Sequence, residues 1–139
     1  MSSLSVISYM GLCLLNASMA NNIEPKLLAS VILVEGGKNG TVSKNKNGSH
    51  DLGIMQINSK AWLPLVSTVF FSGNKDKAYT ALKNDGCFNI SVGAWILSYS
   101  IRLENGKIWE GVGRYHSNTT IYKHKYINKV KQTYDKITF

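Results

Sequence analysis

Two carboxylates, Glu35 and Asp51, stand sixteen positions apart with a loop rich in glycine and asparagine between them. Glu35 closes the run "NNIEPKLLASVILVEGG", in which Leu28, Val31, Ile32 and Glu35 fall at i, i+3, i+4 and i+7. On a helix that spacing places the carboxyl in line with an apolar stripe. Such a group is costly to bury as an anion, so burial should raise its pKa and keep it a proton donor near neutral pH. The plainer alternative is a helix-end glutamate turned out to solvent. Asp51 lies in "GSHDLGIMQINSKAW", residues 48–62, where apolar and polar residues alternate as in a half-buried strand or turn. Its polar members Asp51, Gln56 and Asn58 all have side chains able to hydrogen-bond a sugar. One carboxyl in an apolar pocket and a second in a polar turn is the arrangement that glycosidic-bond cleavage uses.

Those groups need elements to hold them. Pro25 suits the first position of a helix, and Gly36–Gly37 end it. The following segment, "GGKNGTVSKNKNGSHD", has neither helical nor strand period and reads as a long functional loop, the wall of a saccharide cleft. Beyond it, "SKAWLPLV" reads as a helix opened by Asn58 or Ser59, and "KDKAYTALKND" as a short helix. "CFNISVGAWILSYSIRLEN" reads as the longest and most buried helix, with Gly93 allowing close backbone approach. "IWEGVGRYHS" and "TIYKHKYINKVKQTYDKI" are two more. No repeat or low-complexity tract interrupts them, so the expected fold is mostly α.

At 139 residues the chain is one domain's length, 1–139, with a 44% hydrophobic content suited to a real core. Its net charge of +8 is unevenly placed: nothing before Glu24 is charged, whereas five lysines face one aspartate between Lys123 and Lys136. A basic helix of this kind is usually a solvated face, and its functional reading is attraction to a polyanion. Nucleic acid is not an expected partner, because no reading motif accompanies the lysines. The uncharged start, "MSSLSVISYMGLCLLNASMA", lacks the positive n-region of a secretory signal. At helical spacing Val6, Tyr9, Met10, Cys13 and Ala17 form a stripe, which favours a packed first helix. Two cysteines, Cys13 and Cys87, allow one pair, and their surroundings fit no zinc site.

Taken in order, Glu35-Gly36, the loop and "GSHDLGIMQIN" resemble the lysozyme superfamily. The nearest likeness is to lytic transglycosylases of the soluble lytic type, especially the small members that accompany secretion, conjugation and pilus machines. Gly53-Ile54-Met55-Gln56 matches the family's Gly-Leu-Met-Gln, and "CFNISVGAWIL" matches its asparagine motif through Asn89. "GRYHS" places Tyr115 at the family's tyrosine, with His116 where asparagine is usual, and the likeness continues through Tyr126 and Val130. It covers roughly residues 10 to 132.

The resemblance implies a lysozyme-like helical domain with a saccharide-binding cleft, and a monomer acting on peptidoglycan glycan strands without metal or cofactor. Glu35 would be general acid and then base, held by Tyr115, at the bond between N-acetylmuramic acid and N-acetylglucosamine. The product would carry a 1,6-anhydromuramic end. Ser49, Gly53, Met55, Gln56, Asn58, Asn89, His116, Ser117 and Tyr126 are the implied substrate contacts. Among them Met55 would form an apolar wall under a sugar ring, and Asn89 has the alternative of capping a helix. Asp51 departs from the simplest transglycosylase pattern and resembles the hydrolytic lysozymes, in which it would be the second catalytic carboxylate. The same likeness implies a Cys13–Cys87 disulfide, an oxidising compartment such as the periplasm, and export by a leader not present in this chain. A hydrolytic lysozyme and a non-catalytic wall-binding assembly factor are the competing readings.

Overall fold

The computed structural model describes residues 2–138, with the side chains of residues 2–9 outside the description. Seven α-helices and one small sheet make up the described chain, in the order α1 (Ser2–Ala20), α2 (Pro25–Glu35), β1 (Val42–Lys44), β2 (His50–Leu52), β3 (Ile57–Asn58), α3 (Ser59–Phe70), α4 (Lys75–Asn84), α5 (Gly86–Leu103), α6 (Ile108–His116) and α7 (Thr120–Lys136). The expected mostly α fold is therefore observed. Two compact units are formed, one from Met1–Val34 with Ser91–Phe139 and the other from Glu35–Ile90.

In the first unit the buried apolar residues come from every helix: Ala17, Leu27, Leu28, Val31, Ala94, Leu97, Val112, Ile127 and Val130 are all under about 8% exposed. α6 runs close to both neighbours. A side chain at Gly111 would collide with the Ile101 backbone of α5, and one at Gly113 would collide with Lys123 and Ile127 of α7. An ion cluster ties α6 and α7 to the turn that follows α5: Glu104 accepts from Arg114 at 3.3 Å and from Lys123 at 3.1 Å, and Lys123 reaches Glu110 at 2.9 Å. The hydrogen bond to Glu110, with that to Glu104, holds the Lys123 ammonium above its ordinary pKa. The bond from Lys123 in turn holds the Glu104 carboxyl low. Only part of the lysine-rich last helix is thus a solvated face, since Lys123 is consumed by structure while Lys125, Lys129, Lys131 and Lys136 are exposed.

In the second unit the three strands pair antiparallel in the order β1-β2-β3, with Val42 opposite Leu52 and Asp51 opposite Asn58. α3 and α4 pack on each other and on this sheet. Asn58 caps α3 through its side-chain oxygen, which accepts from Ala61 N at 3.0 Å, and Asn74 does the same for α4.

Three expectations need correction. The segment 36–51 is not structureless, because residues 42–44 form β1; a three-residue strand is too short to show alternation and exists only by pairing with β2. α1, at 19 residues, is longer than α5, at 18. Within the α1 stripe, Val6 and Tyr9 have side chains outside the described residues, while Met10 and Cys13 are half-buried and Ala17 is buried. Yet Leu12, Leu15 and Met19 are 57%, 47% and 78% exposed, so α1 also carries an open apolar side. Among the described residues no helix is long and apolar enough to cross a membrane.

Candidate active site

Glu35 is the last residue of α2, and Gly36 adopts φ 72°, the left-handed backbone that ends a helix. The stripe runs as the spacing predicts. Leu28 and Val31 have no exposure, and Ile32 and Glu35 follow half-buried. The carboxyl is therefore carried at the end of a packed row. Immediately after it, Gly37 lies against the β2–β3 loop: a Cβ there would strike the Gly53 carbonyl and crowd the Gln56 amide nitrogen. Gly37→Ala should accordingly cost about 1–3 kcal/mol by overpacking, measured as a lower urea midpoint. An unchanged midpoint would show that the loop yields freely.

The loop Gly53–Gln56 is held from two sides. Gly53 and Gln56 both adopt positive φ, 68° and 52°, which is ordinary for glycine and uncommon for glutamine. Gln56 is retained there by its own amide, which accepts from Ser43 Oγ at 2.6 Å and donates to the Gly53 carbonyl at 2.9 Å. From the other side Asn89, 1% exposed, accepts from Met55 N at 2.8 Å and donates to the carbonyls of Leu52 at 2.9 Å and Leu82 at 2.8 Å. A Cβ at Gly53 would collide with the Leu82 carbonyl and the Asn89 amide, so glycine is required for this approach.

A second polar cluster surrounds Asp51 on β2. Asn58 Nδ2 donates to Asp51 Oδ1 and to Ser49 Oγ, both at 3.0 Å. The Ser49 hydroxyl donates to Asn47 at 2.7 Å and accepts from Asn45 at 3.0 Å. Next to it, His50 N donates to Ser59 Oγ at 2.9 Å, and the His50 ring meets the Tyr79 hydroxyl at 2.8 Å. Asp51 is half-buried and oriented by a neutral amide.

In the first unit, Tyr115 is half-buried on the last turn of α6. The His116 ring stacks on that of Tyr126, with centroids 4.5 Å apart and planes 2° from parallel. Ser117 ends α6: its N–H donates to the Gly113 carbonyl at 3.0 Å, and its hydroxyl accepts from Thr119 N at 3.0 Å. Cys13 and Cys87 are disulfide-bonded, as the resemblance implied.

Residues 13–138 match the family model described as the transglycosylase SLT domain. The chain belongs to this family. It is also 35% identical over 130 residues to the invasion protein IagB of Salmonella typhimurium, a match covering 90% of this chain and 76% of that protein. IagB of Salmonella typhi shows the same identity and coverage. As a member of this family the protein is a lytic transglycosylase with a lysozyme-like fold, whose substrate is peptidoglycan and whose place of action is outside the cytoplasm.

Within this transglycosylase the sequence-predicted residues divide by what they do. Gly53, Met55, Gln56 and Asn89 come together as one support for the hairpin loop. Met55 is fully buried, and Asn89 is buried with its amide spent on three backbone groups. At the start of α5 the cap is Asp85, which accepts from Phe88 N, while Asn89 donates to the Leu82 carbonyl in the last turn of α4. Ser49 is 5% exposed with its hydroxyl fully engaged, so it too is a strut. Tyr126 is buried under His116. Asp51, Asn58, Tyr115 and Ser117 are half-buried, and His116 is exposed. Sequence reasoning missed Ser43, Asn45, Asn47 and Tyr79; only Asn45 and Asn47 carried a signal, as turn formers beside Gly48.

Proposed function

We propose that the transglycosylase acts through Glu35 as general acid and then general base on the β-1,4 bond between N-acetylmuramic acid and N-acetylglucosamine. The Glu35 carboxyl donates its proton to the glycosidic oxygen as the bond from the muramic C1 breaks, leaving an oxocarbenium-like centre. The sugar's own 6-hydroxyl oxygen then bonds to C1 while the Glu35 carboxylate takes the hydroxyl proton. The carboxyl is thereby restored, and the product is a 1,6-anhydromuramic end. The observation that carries this reading is the position of Glu35, half-buried at the end of a packed stripe, with Gly37 locked against the hairpin loop.

Tyr115 takes the role of holding the Glu35 carboxyl, on the strength of the family's tyrosine motif; its phenol is a hydrogen-bond donor. Asp51 serves as an oriented charge that stabilises the oxocarbenium, supported by its hydrogen bond from Asn58. Asn58, His116 and Ser117 are proposed to meet the glycan, since they keep some exposure. The likeness to proteins named for invasion supports a role in opening the wall locally for an envelope-spanning secretion, conjugation or pilus apparatus, in the periplasm.

Mass spectrometry of muropeptides released from purified peptidoglycan tests the chemistry. Products one water lighter than their reducing-end counterparts are expected from the protein and absent with Glu35→Gln. Asp51→Asn should slow release by about tenfold to a hundredfold while leaving the anhydro ends. Reducing ends that vanish in both variants would instead make the enzyme a hydrolytic muramidase with Asp51 as its second catalytic group.

A further inference from the structure

Unit one contains a groove of about 810 Å³ at the N-terminal end of α2, built from the α1–α2 turn, α5, α6 and the end of α7. No part of it belongs to the residues assigned above. Its lining combines aromatic rings, Trp95, Trp109 and Tyr134, with the polar side chains of Asn22 and Ser98. Trp109 meets Tyr134 edge to face, with centroids 5.7 Å apart. Amphipathic rings beside a few polar groups are what a concave ligand site presents, and such rings match the apolar faces of pyranoses while amides meet their hydroxyls.

The charge around the groove is mainly positive. Arg102 lines it, Lys131 lies 5.2 Å over the Trp109 ring, and Lys26 lies 4.2 Å over the Tyr134 ring. None of the three ion pairs among the described residues engages these cations. Among the described lining residues Glu24 is the only carboxylate, its oxygens accepting the Tyr134 hydroxyl at 2.8 Å, and with Asp135 beside Tyr134 it is outnumbered by the three cations. Lysines resting on ring faces are held weakly and can turn to a better partner. An acidic ligand is favoured over a neutral or basic one.

We infer that this groove is a second glycan-strand site, taking a stretch of peptidoglycan by its sugar rings on Trp109 and Tyr134 and by its carboxylates on Arg102 and Lys131. The inference rests on peptidoglycan being the substrate, and it gives the enzyme a hold on the wall that does not pass through Glu35. Such a hold would keep the enzyme at an insoluble substrate between cleavage events, and would matter little for a short soluble one.

Co-sedimentation with purified sacculi, in the Glu35→Gln background so that bound strands survive, reads this directly. Arg102→Glu with Lys131→Glu, and separately Trp109→Ala, should each weaken retention by roughly tenfold. Lys125→Glu with Lys129→Glu, on another face of α7, should weaken it far less. With Glu35 restored, the groove variants should release less from sacculi yet cleave a soluble muropeptide tetrasaccharide at the parental rate. Unchanged retention would overturn the site, and so would an equal loss in the α7 control, which would mean diffuse charge attraction. Parallel loss on the tetrasaccharide would also overturn it, by showing damage to the fold or to the catalytic centre. Failure of the parental enzyme to cleave the tetrasaccharide would count against the Glu35 chemistry and leave the sedimentation result standing.

Discussion

Glu35→Gln should lower glycan release by about a hundredfold to ten-thousandfold, the range that loss of a general acid–base group produces. Glutamine keeps the length and shape of the side chain and most of its hydrogen-bonding capacity. What it loses is the acidic proton and, after the first step, the carboxylate that must take a proton from the 6-hydroxyl. Both halves of the proposed cycle therefore fail together. Stability should stay near the parental value, because Glu35 is only half-buried and the packing of α2 rests on Leu28 and Val31, which the substitution does not touch. Initial rates on sacculi and thermal melts of the two proteins decide it. A variant that melts normally and still releases anhydromuropeptides at a tenth of the parental rate or better would remove Glu35 from the mechanism.

Asn89→Ala should destabilise the protein by about 3–5 kcal/mol, near the top of the range for a single substitution. Three backbone groups lose their partner at once: the Met55 N–H and the carbonyls of Leu52 and Leu82, in surroundings where Asn89 itself is 1% exposed. A buried N–H left unpaired pays its full desolvation cost, whereas the asparagine had satisfied donor and acceptors together. Aspartate should not rescue the site. It would keep an acceptor for Met55 N but would turn a carboxylate oxygen toward two carbonyl oxygens. Urea denaturation with an unchanged slope and a lower midpoint is the expected result for both variants. Activity should fall further than the folded fraction does, because the loop released is the one against which Gly37 is packed. A midpoint shift worth under about 1 kcal/mol would mean that water replaces the amide at low cost.

Helices with an apolar period and punctuated ends were readable in advance. Pro25 at the start of α2 and glycines after Glu35 set its bounds, and the stripe through Leu28 and Val31 placed the carboxyl on the packed side. Periodicity is a local property, written within a dozen residues, and so are caps such as Asn58. The family was legible for a related reason: its motifs are short segments in order, from Glu35 to Tyr115.

What each polar side chain does with its hydrogen bonds was not legible. Ser49, Gln56 and Asn89 have the residue types of sugar contacts, and the structure spends their groups inside the protein. Their partners lie up to 37 positions away, as with Asn89 and Leu52, and no pattern in the sequence encodes that pairing. β1 escaped notice because three residues cannot show a period, and its register with β2 brings Ser43 to Gln56. By itself the sequence determined the helices, the carboxylate at the end of α2 and the family. Tertiary structure alone decided which polar groups are struts and which keep exposure, because satisfaction of a buried donor depends on what long-range packing brings within 3 Å of it.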